Sequence, residues 1–279
     1  MKKLVLIGSL FLIFSCTQEE SSNDDLLRNT PQSVSQRFDP EKVNIFKGPE
    51  VEVGNGIARS WISIKKETGI PQELGIVLTP EALENLPDNN EHGERYIIPL
   101  HLKARQYTPF DHIDLNWNPH GHLPPGVFDV AHFDIHFYLI SLEEQDAIPV
   151  WSPDTDAAFN NYPPSGYMPS DYFTPPGPAT AEPKMGKHWL PVNLESLLPF
   201  TKIMIYGSYN GKLTFVEPMI TMDYLMSHQD FSEAYSQPQY FNKGGNYPRR
   251  YNIYHDSKTG NIYITLSDFV PRESTPHNL

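Results

Sequence analysis

The sequence has 279 residues, a formal charge of −13 at pH 7 and a single cysteine. This length is enough for one large domain with a sizeable core. A single cysteine excludes an internal disulfide, a cysteine-ligated structural zinc site and an iron–sulfur cluster. No stretch gathers enough lysine and arginine to bind a polyanion, so we expect no nucleic-acid partner.

The N-terminus has the features of an export signal. Lys2 and Lys3 form a basic start, residues 4–14 are apolar but too few to span a bilayer, and Ser15 precedes Cys16. The stretch LIFSC resembles a bacterial lipobox, whose cysteine is lipid-modified once everything before it is cleaved. The sequence therefore predicts a signal peptide over residues 1–15 and a lipid anchor on Cys16, which would tether the protein to a membrane.

Residues 16–39 are polar, acidic near their start and poor in aromatic residues, which predicts a flexible tether. The acidic cluster Glu19-Glu20 and Asp24-Asp25 resembles the export signal of surface lipoproteins in some Gram-negative bacteria, but a solvated spacer would have the same composition. We expect a cell-envelope, outer-membrane lipoprotein and leave its surface exposure open. The β-rich domain is predicted over residues 40–272, followed by a tail at 273–279.

Most elements predicted within the domain are β-strands, because short apolar or alternating runs recur between turn residues. In chain order the clearest strands lie at 57–64, 74–78, 96–100, 112–117 and 132–140. One short helix is predicted over TPEALENLP, residues 79–87, with Thr79 as N-cap, Pro80 at the first helical position and Pro87 at the end.

The clearest hairpin is TKIMIYGSYNGKLTFVE, residues 201–217. Asn210 and Gly211 suit the two left-handed positions of a type I′ turn. With these two residues as the loop, Glu217 is predicted to lie opposite Met204.

Three further segments complete the expected fold. Residues 249–256 and 261–266 form a second hairpin, and residues 221–226 can form a helical turn. Residues 149–191 contain 10 prolines, which predicts a long loop without a regular ladder. The predicted class is mainly β, a single β-sandwich or barrel-like domain with long Pro-rich loops and one or two short helices.

The segment HFDIHFYLI carries ionisable residues at every second position. As a helix it would resemble the zinc motif H-E-x-x-H, but Phe133 stands where that motif has glutamate. Alternation and aromatic content favour a strand, which puts His132, Asp134, His136 and Tyr138 on one face. The two histidines are then about 13 Å apart, too far to converge naturally on one ion.

Additional ligands must therefore come from other segments. Gly121 allows His120 or His122 to turn inward just before the strand. His188 and Glu217 are more distant candidates, since a carboxylate in an otherwise apolar strand needs a partner if it is buried.

We predict a divalent-metal site built from three or four of a set of five residues. Nitrogen and oxygen donors favour zinc, copper or iron over magnesium. Asp134 is the candidate catalytic base, or alternatively the carboxylate that orients an imidazole. The five candidate ligands are His122, His132, His136, His188 and Glu217.

Two other interpretations of the polar face stay open at this point. The residues can form a structural hydrogen-bond network or a solvated ladder. The protein would then be a non-catalytic binding or assembly module, with the Pro-rich span contacting sister subunits in a homo-oligomer, a small molecule or a glycan. Cupin spacing and hydrolase, phosphate-loop and dinucleotide motifs are lacking, so the sequence does not decide whether this is an enzyme.

Three blocks together carry a family resemblance: WNPHGHLPPGVFDVAHFDIHFY, MGKHW and YGSYNGKLTFVEPMIT. They resemble a bacterial family of secreted or lipid-anchored proteins classed as a domain of unknown function, over roughly residues 54–266. The resemblance implies a single β-rich domain and leaves the chemistry open. The family usually has proline where this chain has Ala131. The recurring elements correspond to His122, His132, Asp134, His136, His188 and Glu217.

Overall fold

The computed structural model describes residues 39–88 and 94–275. The predicted signal peptide, Cys16, nearly all of the tether and the last four residues of the tail lie outside the described residues. Within them, no helix is long and apolar enough to cross a membrane. The mainly β prediction is confirmed, because most regular structure belongs to two large antiparallel sheets.

The strands and helices follow one another along the described parts of the chain. The strands are β1 (Val43–Val53), β2 (Gly56–Lys65), β3 (Pro71–Leu78), β4 (Glu94–Pro99), β5 (His112–Asn118), β6 (His132–Tyr138), β7 (Tyr172–Phe173), β8 (Ala181–Glu182), β9 (Gly186–Pro191), β10 (Lys202–Tyr209), β11 (Lys212–Thr221), β12 (Phe231–Ala234), β13 (Gly245–Tyr247), β14 (Arg250–His255), β15 (Ile262–Ser267) and β16 (Val270–Arg272). The α-helices are α1 (Leu102–Tyr107), α2 (Leu142–Asp146), α3 (Asp156–Phe159) and α4 (Met222–Met226), and 3₁₀ turns lie at Pro80–Leu83 and Leu194–Leu197.

Two sheets enclose the main core. The first has six strands in the order β1-β2-β3-β15-β14-β12, and the second has the order β4-β5-β6-β11-β10-β9-β7 with β8 beside β9. Strands β13 and β16 form a separate small pair. Fully buried apolar residues of both sheets form one cluster, as expected of a sandwich. They include Ile62, Leu74, Ile76 and Ile264 from the first sheet and Ile113, Leu115, Phe133, Ile135 and Phe137 from the second.

The second sheet is buried on its outer face as well. Every residue of β5 and β6 is buried, although only alternate residues belong to the main core. A smaller apolar cluster contains Ile205 and Met219 of the sheet together with Phe128 and Phe200 of the connecting segments. Connecting segments therefore cover much of the outer face.

The predicted helix over residues 79–87 is wrong in length and type, since only a four-residue 3₁₀ turn forms there. Thr79 does not cap it with its side chain. Its hydroxyl instead accepts a hydrogen bond from the backbone N–H of Ile57 (3.2 Å). The helical turn predicted near residues 221–226 is confirmed as α4, which Thr221 caps by accepting from the N–H of Tyr224 (3.2 Å).

The hairpin of β10 and β11 forms as predicted, but its register differs by one residue. Asn210 and Gly211 have positive φ angles of 46° and 81°, as a type I′ turn requires. A β-bulge between Gly207 and Ser208 then shifts the pairing. Glu217 consequently lies opposite Ile205, and the predicted pairing with Met204 is wrong.

The Pro-rich span 149–191 is not free of regular pairing, which corrects the sequence prediction. Its last six residues form β9, which pairs with β10 and aligns His188 with Gly207. No proline occurs between Pro183 and Pro191, so the N–H groups of that stretch are available to the ladder. This strand carries one of the predicted ligands into the sheet.

Candidate metal centre

Strand β6 presents a polar face, as its alternation predicted. His132, Asp134 and His136 are each at most 5 % exposed, although they point away from the main core. Strand β5 lies on one side of β6, with Asp114 opposite His136, and β11 lies on the other, with Met219 opposite Asp134. The ionisable residues therefore sit mid-sheet, where solvent cannot reach them from the strand edges.

The first group, here called the His122 cluster, consists of His122, His132 and Asp134. His132 Nε2 lies 3.1 Å from Asp134 Oδ1, and His122 Nε2 lies 3.3 Å from Asp134 Oδ2. Asn118 Nδ2 donates to Asp134 Oδ2 at 2.7 Å and orients the carboxylate. One ligand atom from each residue lies within 4.8 Å of the other two, so the cluster could hold a metal ion.

The loop before β6 brings His122 to the strand. His122 N donates to Phe128 O at 3.0 Å, which folds the loop back on itself. Gly121 has φ of 69°, and a Cβ atom there would lie 2.0 Å from Phe128 O. Only glycine fits this left-handed, crowded position. His120, on the other side of the glycine, stays exposed with Nε2 3.3 Å from Asp88 Oδ1.

The second group, here called the Glu217 cluster, consists of His136, His188 and Glu217. Glu217 Oε2 lies 3.4 Å from His136 Nε2 and 3.7 Å from His188 Nε2. Each residue comes from a different strand of the second sheet, namely β6, β9 and β11. Their ligand atoms also lie within 4.8 Å of one another, so this cluster could hold a second ion.

The four imidazoles share one arrangement. In each ring Nδ1 is hydrogen-bonded to a backbone carbonyl oxygen, which only accepts, so Nδ1 carries a proton. Nε2 of the neutral ring then offers a lone pair to the cluster, as in metal-ligating histidines. The Nδ1–oxygen distances are 2.8 Å for His122 and Leu123, 2.6 Å for His132 and Val130, 3.3 Å for His136 and Asp114, and 3.0 Å for His188 and Thr180.

Four buried atoms of the two clusters have no hydrogen-bond partner among the described residues. They are His132 Nε2, Asp134 Oδ1, His136 Nε2 and Glu217 Oε2. In both clusters a nitrogen lone pair faces a carboxylate oxygen, an arrangement that costs free energy unless a proton or a cation lies between them. Two nitrogens and one carboxylate oxygen match known three-ligand sites of zinc and non-haem iron.

Charges within the His122 cluster stabilise one another. Burial alone would lower the pKa of His122, but the Asp134 carboxylate outweighs burial and raises this pKa from 6.5 to about 9. Burial likewise disfavours ionised Asp134, yet His132 and His122 together hold the pKa of its carboxyl well below 3.8. In the metal-free protein this cluster is an ionised pair at neutral pH.

The Glu217 cluster has the opposite character. Burial lowers the pKa of His136 to about 3 and that of His188 to about 4. Burial also raises the pKa of Glu217 well above 4.5, and the negative charges of Asp134 and Asp114 act in the same direction. Burial therefore disfavours the charged form of all three groups of this cluster.

Sequence reasoning missed Lys187, which lies beside His188 on β9. Lys187 is fully buried, and its Nζ donates to the carbonyl oxygens of Pro175 (2.6 Å), Gly177 (2.8 Å) and Ala179 (2.5 Å). These bonds fix residues 175–179. Thr180 follows directly, and its carbonyl oxygen accepts a hydrogen bond from His188 Nδ1. No pattern in the sequence distinguishes this lysine from a surface lysine.

A second set of polar residues that the sequence did not predict lies behind His136. Asp114 is fully buried and pairs with Arg95 Nε, while Gln145 Nε2 donates to its Oδ2 at 2.9 Å. Alternation in HIDLNW was the available signal, because Asp114 lies on the face opposite Ile113 and Leu115. The group fixes the backbone whose carbonyl oxygen orients His136.

The structure brings all five predicted ligands and Asp134 to one face of the second sheet, but it divides them into two groups. Asp134 lies between the Nε2 atoms of His122 and His132. This position suits a metal ligand as well as a catalytic base. No family model, curated protein or solved structure matches this chain. The family resemblance of the three sequence blocks therefore stays a prediction.

Proposed function

We propose that this protein binds divalent transition-metal ions outside the cytoplasm, one ion at the His122 cluster and one at the Glu217 cluster. The observation that carries the proposal is the convergence of two imidazole nitrogens and one carboxyl oxygen within 4.8 Å of one another in each of the two buried clusters. Two of these nitrogens, His132 Nε2 and His136 Nε2, are buried without a hydrogen-bond partner among the described residues, and a cation would supply one.

The Glu217 cluster argues most clearly against a purely structural network. A proton on Glu217 could satisfy only one of the two nearby Nε2 atoms, those of His136 and His188. The other lone pair would stay buried and unpaired, whereas a divalent cation accepts both nitrogens and the carboxylate. Backbone carbonyls that fix all four Nδ1 atoms add the orienting contacts that metal sites usually have.

The donor set limits the metal. Imidazole nitrogen with one carboxylate oxygen suits zinc, copper or iron, and magnesium would require mainly oxygen donors. The absence of cysteine ligands is compatible with all three metals. We expect zinc to bind at both clusters, with copper and iron as competitors.

The proposed location rests on the N-terminal sequence. A basic start, a short apolar stretch and the Ser15-Cys16 pair support export and lipid anchoring at Cys16. A Cys16→Ser variant in the native host should remain uncleaved and lose incorporation of labelled fatty acid. Unchanged cleavage and labelling would contradict the anchor without bearing on the metal sites.

The metal proposal is tested by elemental analysis of untagged protein that has never met a chelator, followed by titration with zinc and copper. His122→Ala should lose the ion of one cluster, and His120→Ala is the matched control, because His120 belongs to the same loop but is exposed. Less than about a tenth of an equivalent of any transition metal, in protein that also fails to bind added zinc or copper, would overturn the proposal. A metal-free oligomer destabilised by His136→Ala would favour the alternative, a binding or assembly module.

A further inference from the structure

The two clusters differ in their access to solvent. The His122 side chain is 39 % exposed. In the Glu217 cluster the side chains of His136, Glu217 and His188 are only 0 %, 1 % and 13 % exposed. His122 also belongs to a loop, whereas all three residues of the Glu217 cluster are held in strands.

Aromatic packing accentuates this difference. The Phe215 ring packs against both imidazoles of the Glu217 cluster, with centroids 4.7 Å from His136 and 5.3 Å from His188. In the His122 cluster, Phe200 packs edge-on against His132 at 5.3 Å, and Phe128 lies 5.7 Å from His122. These two rings leave part of His122 in contact with solvent.

We infer that the His122 cluster is an open coordination site that binds a small organic ligand through one donor atom, whereas the Glu217 cluster is closed to exogenous ligands. This inference rests on the proposed metal binding. Three protein ligands leave a zinc-like ion one further position, which water or a substrate can occupy only where solvent reaches the ion.

The surroundings of His122 indicate the class of ligand. Leu123 is 71 % exposed and Val130 is 45 % exposed, and both residues also supply the carbonyl oxygens that orient the two imidazoles. The two residues that orient the imidazoles through their carbonyl oxygens thus also expose apolar side chains to solvent. A ligand with a single metal-binding donor on an apolar body could contact these exposed apolar side chains, which a polyanion or a sugar would not favour.

The inference predicts a site-specific response to imidazole compounds in the cobalt-loaded protein. Imidazole should change the visible spectrum of wild type and of His188→Ala, which retains the His122 cluster. It should leave the spectrum of cobalt-loaded His122→Ala unchanged. 4-Phenylimidazole should bind several-fold more tightly than imidazole, because its ring buries apolar surface, and Leu123→Ser should reduce that preference.

Metal exchange in wild type provides a second measurement that needs no variant. A chelator should remove cobalt in two phases, a fast one from the open site and a slow one from the closed site. Two bound ions with no response to imidazole and a single exchange phase would overturn the inference while leaving metal binding intact. A response that persists in His122→Ala and disappears in His188→Ala would overturn it as well. Failure to bind cobalt at either cluster would remove the proposed function and this inference together.

Discussion

The two faces of β6 are equally buried but have opposite chemistry. Phe133, Ile135 and Phe137 pack into the core between the sheets, whereas His132 and His136 point to the outer face. Burial on the inner face stabilises the fold by removing apolar surface from water. Burial on the outer face costs free energy unless the polar groups are paired. The contrast supports the proposal that the outer face binds metal ions.

The largest expected effect is a loss of stability when a residue on the inner face of β6 is truncated. Ile135→Ala should lower the free energy of unfolding by about 4 kcal/mol, because it opens a cavity in the main core. Metal content of the folded protein should not change. Chemical denaturation of metal-free protein measures the first quantity, with Ile135→Val as a graded control that should lose only about 1 kcal/mol. A loss of bound metal from folded Ile135→Ala would mean that the two faces are not separable.

A second prediction concerns the segment that covers the outer face. Lys187→Met should cost about 3 kcal/mol, because three carbonyl oxygens lose their buried donor. It should also accelerate release of the ion from the Glu217 cluster, since Thr180 would no longer be held against His188. Lys184→Met is the matched control, with an exposed ion pair to Asp146 that contributes less than about 1 kcal/mol. Equal effects of the two variants on stability and metal release would contradict this role.

A third prediction is a pH dependence of the stability of the metal-free protein. The pKa of His188 is about 4 in the folded protein, below its ordinary 6.5, because burial disfavours the charged ring. Between pH 6.5 and 4 the unfolded chain takes up this proton and the folded chain does not. Stability should therefore fall as pH decreases, by about 1.4 kcal/mol per pH unit from this histidine. His188→Gln removes that contribution, so denaturation midpoints should vary less with pH in this window than in wild type. Parallel pH profiles would show that His188 is not buried as described.

The polar composition of the outer face could be predicted from the sequence, because alternation along a strand depends only on the order of residues within that strand. His132, Asp134 and His136 share a face in any strand, whatever the strand pairs with. The same reasoning indicated that the two histidines would not converge on one ion, which the two separate clusters agree with.

The division of ligands could not be predicted, because it depends on which strands are neighbours. Glu217 reaches His136 since β11 pairs with β6, and His188 arrives from β9 on the far side of β10. The register error at Glu217 had a local cause. Gly207 lies under the ring of Phe215, where a Cβ atom would lie 2.2 Å from ring carbons. Bulges of this kind depend on packing across strands.

Anomalous diffraction from zinc-loaded crystals at the zinc absorption edge would test the central claim most directly. Two peaks are expected. One should lie about 2.0–2.2 Å from ligand atoms of His122, His132 and Asp134, and the other at the same range from His136, His188 and Glu217. Zinc-loaded crystals with no peak at either cluster, or with peaks only at other residues, would contradict it.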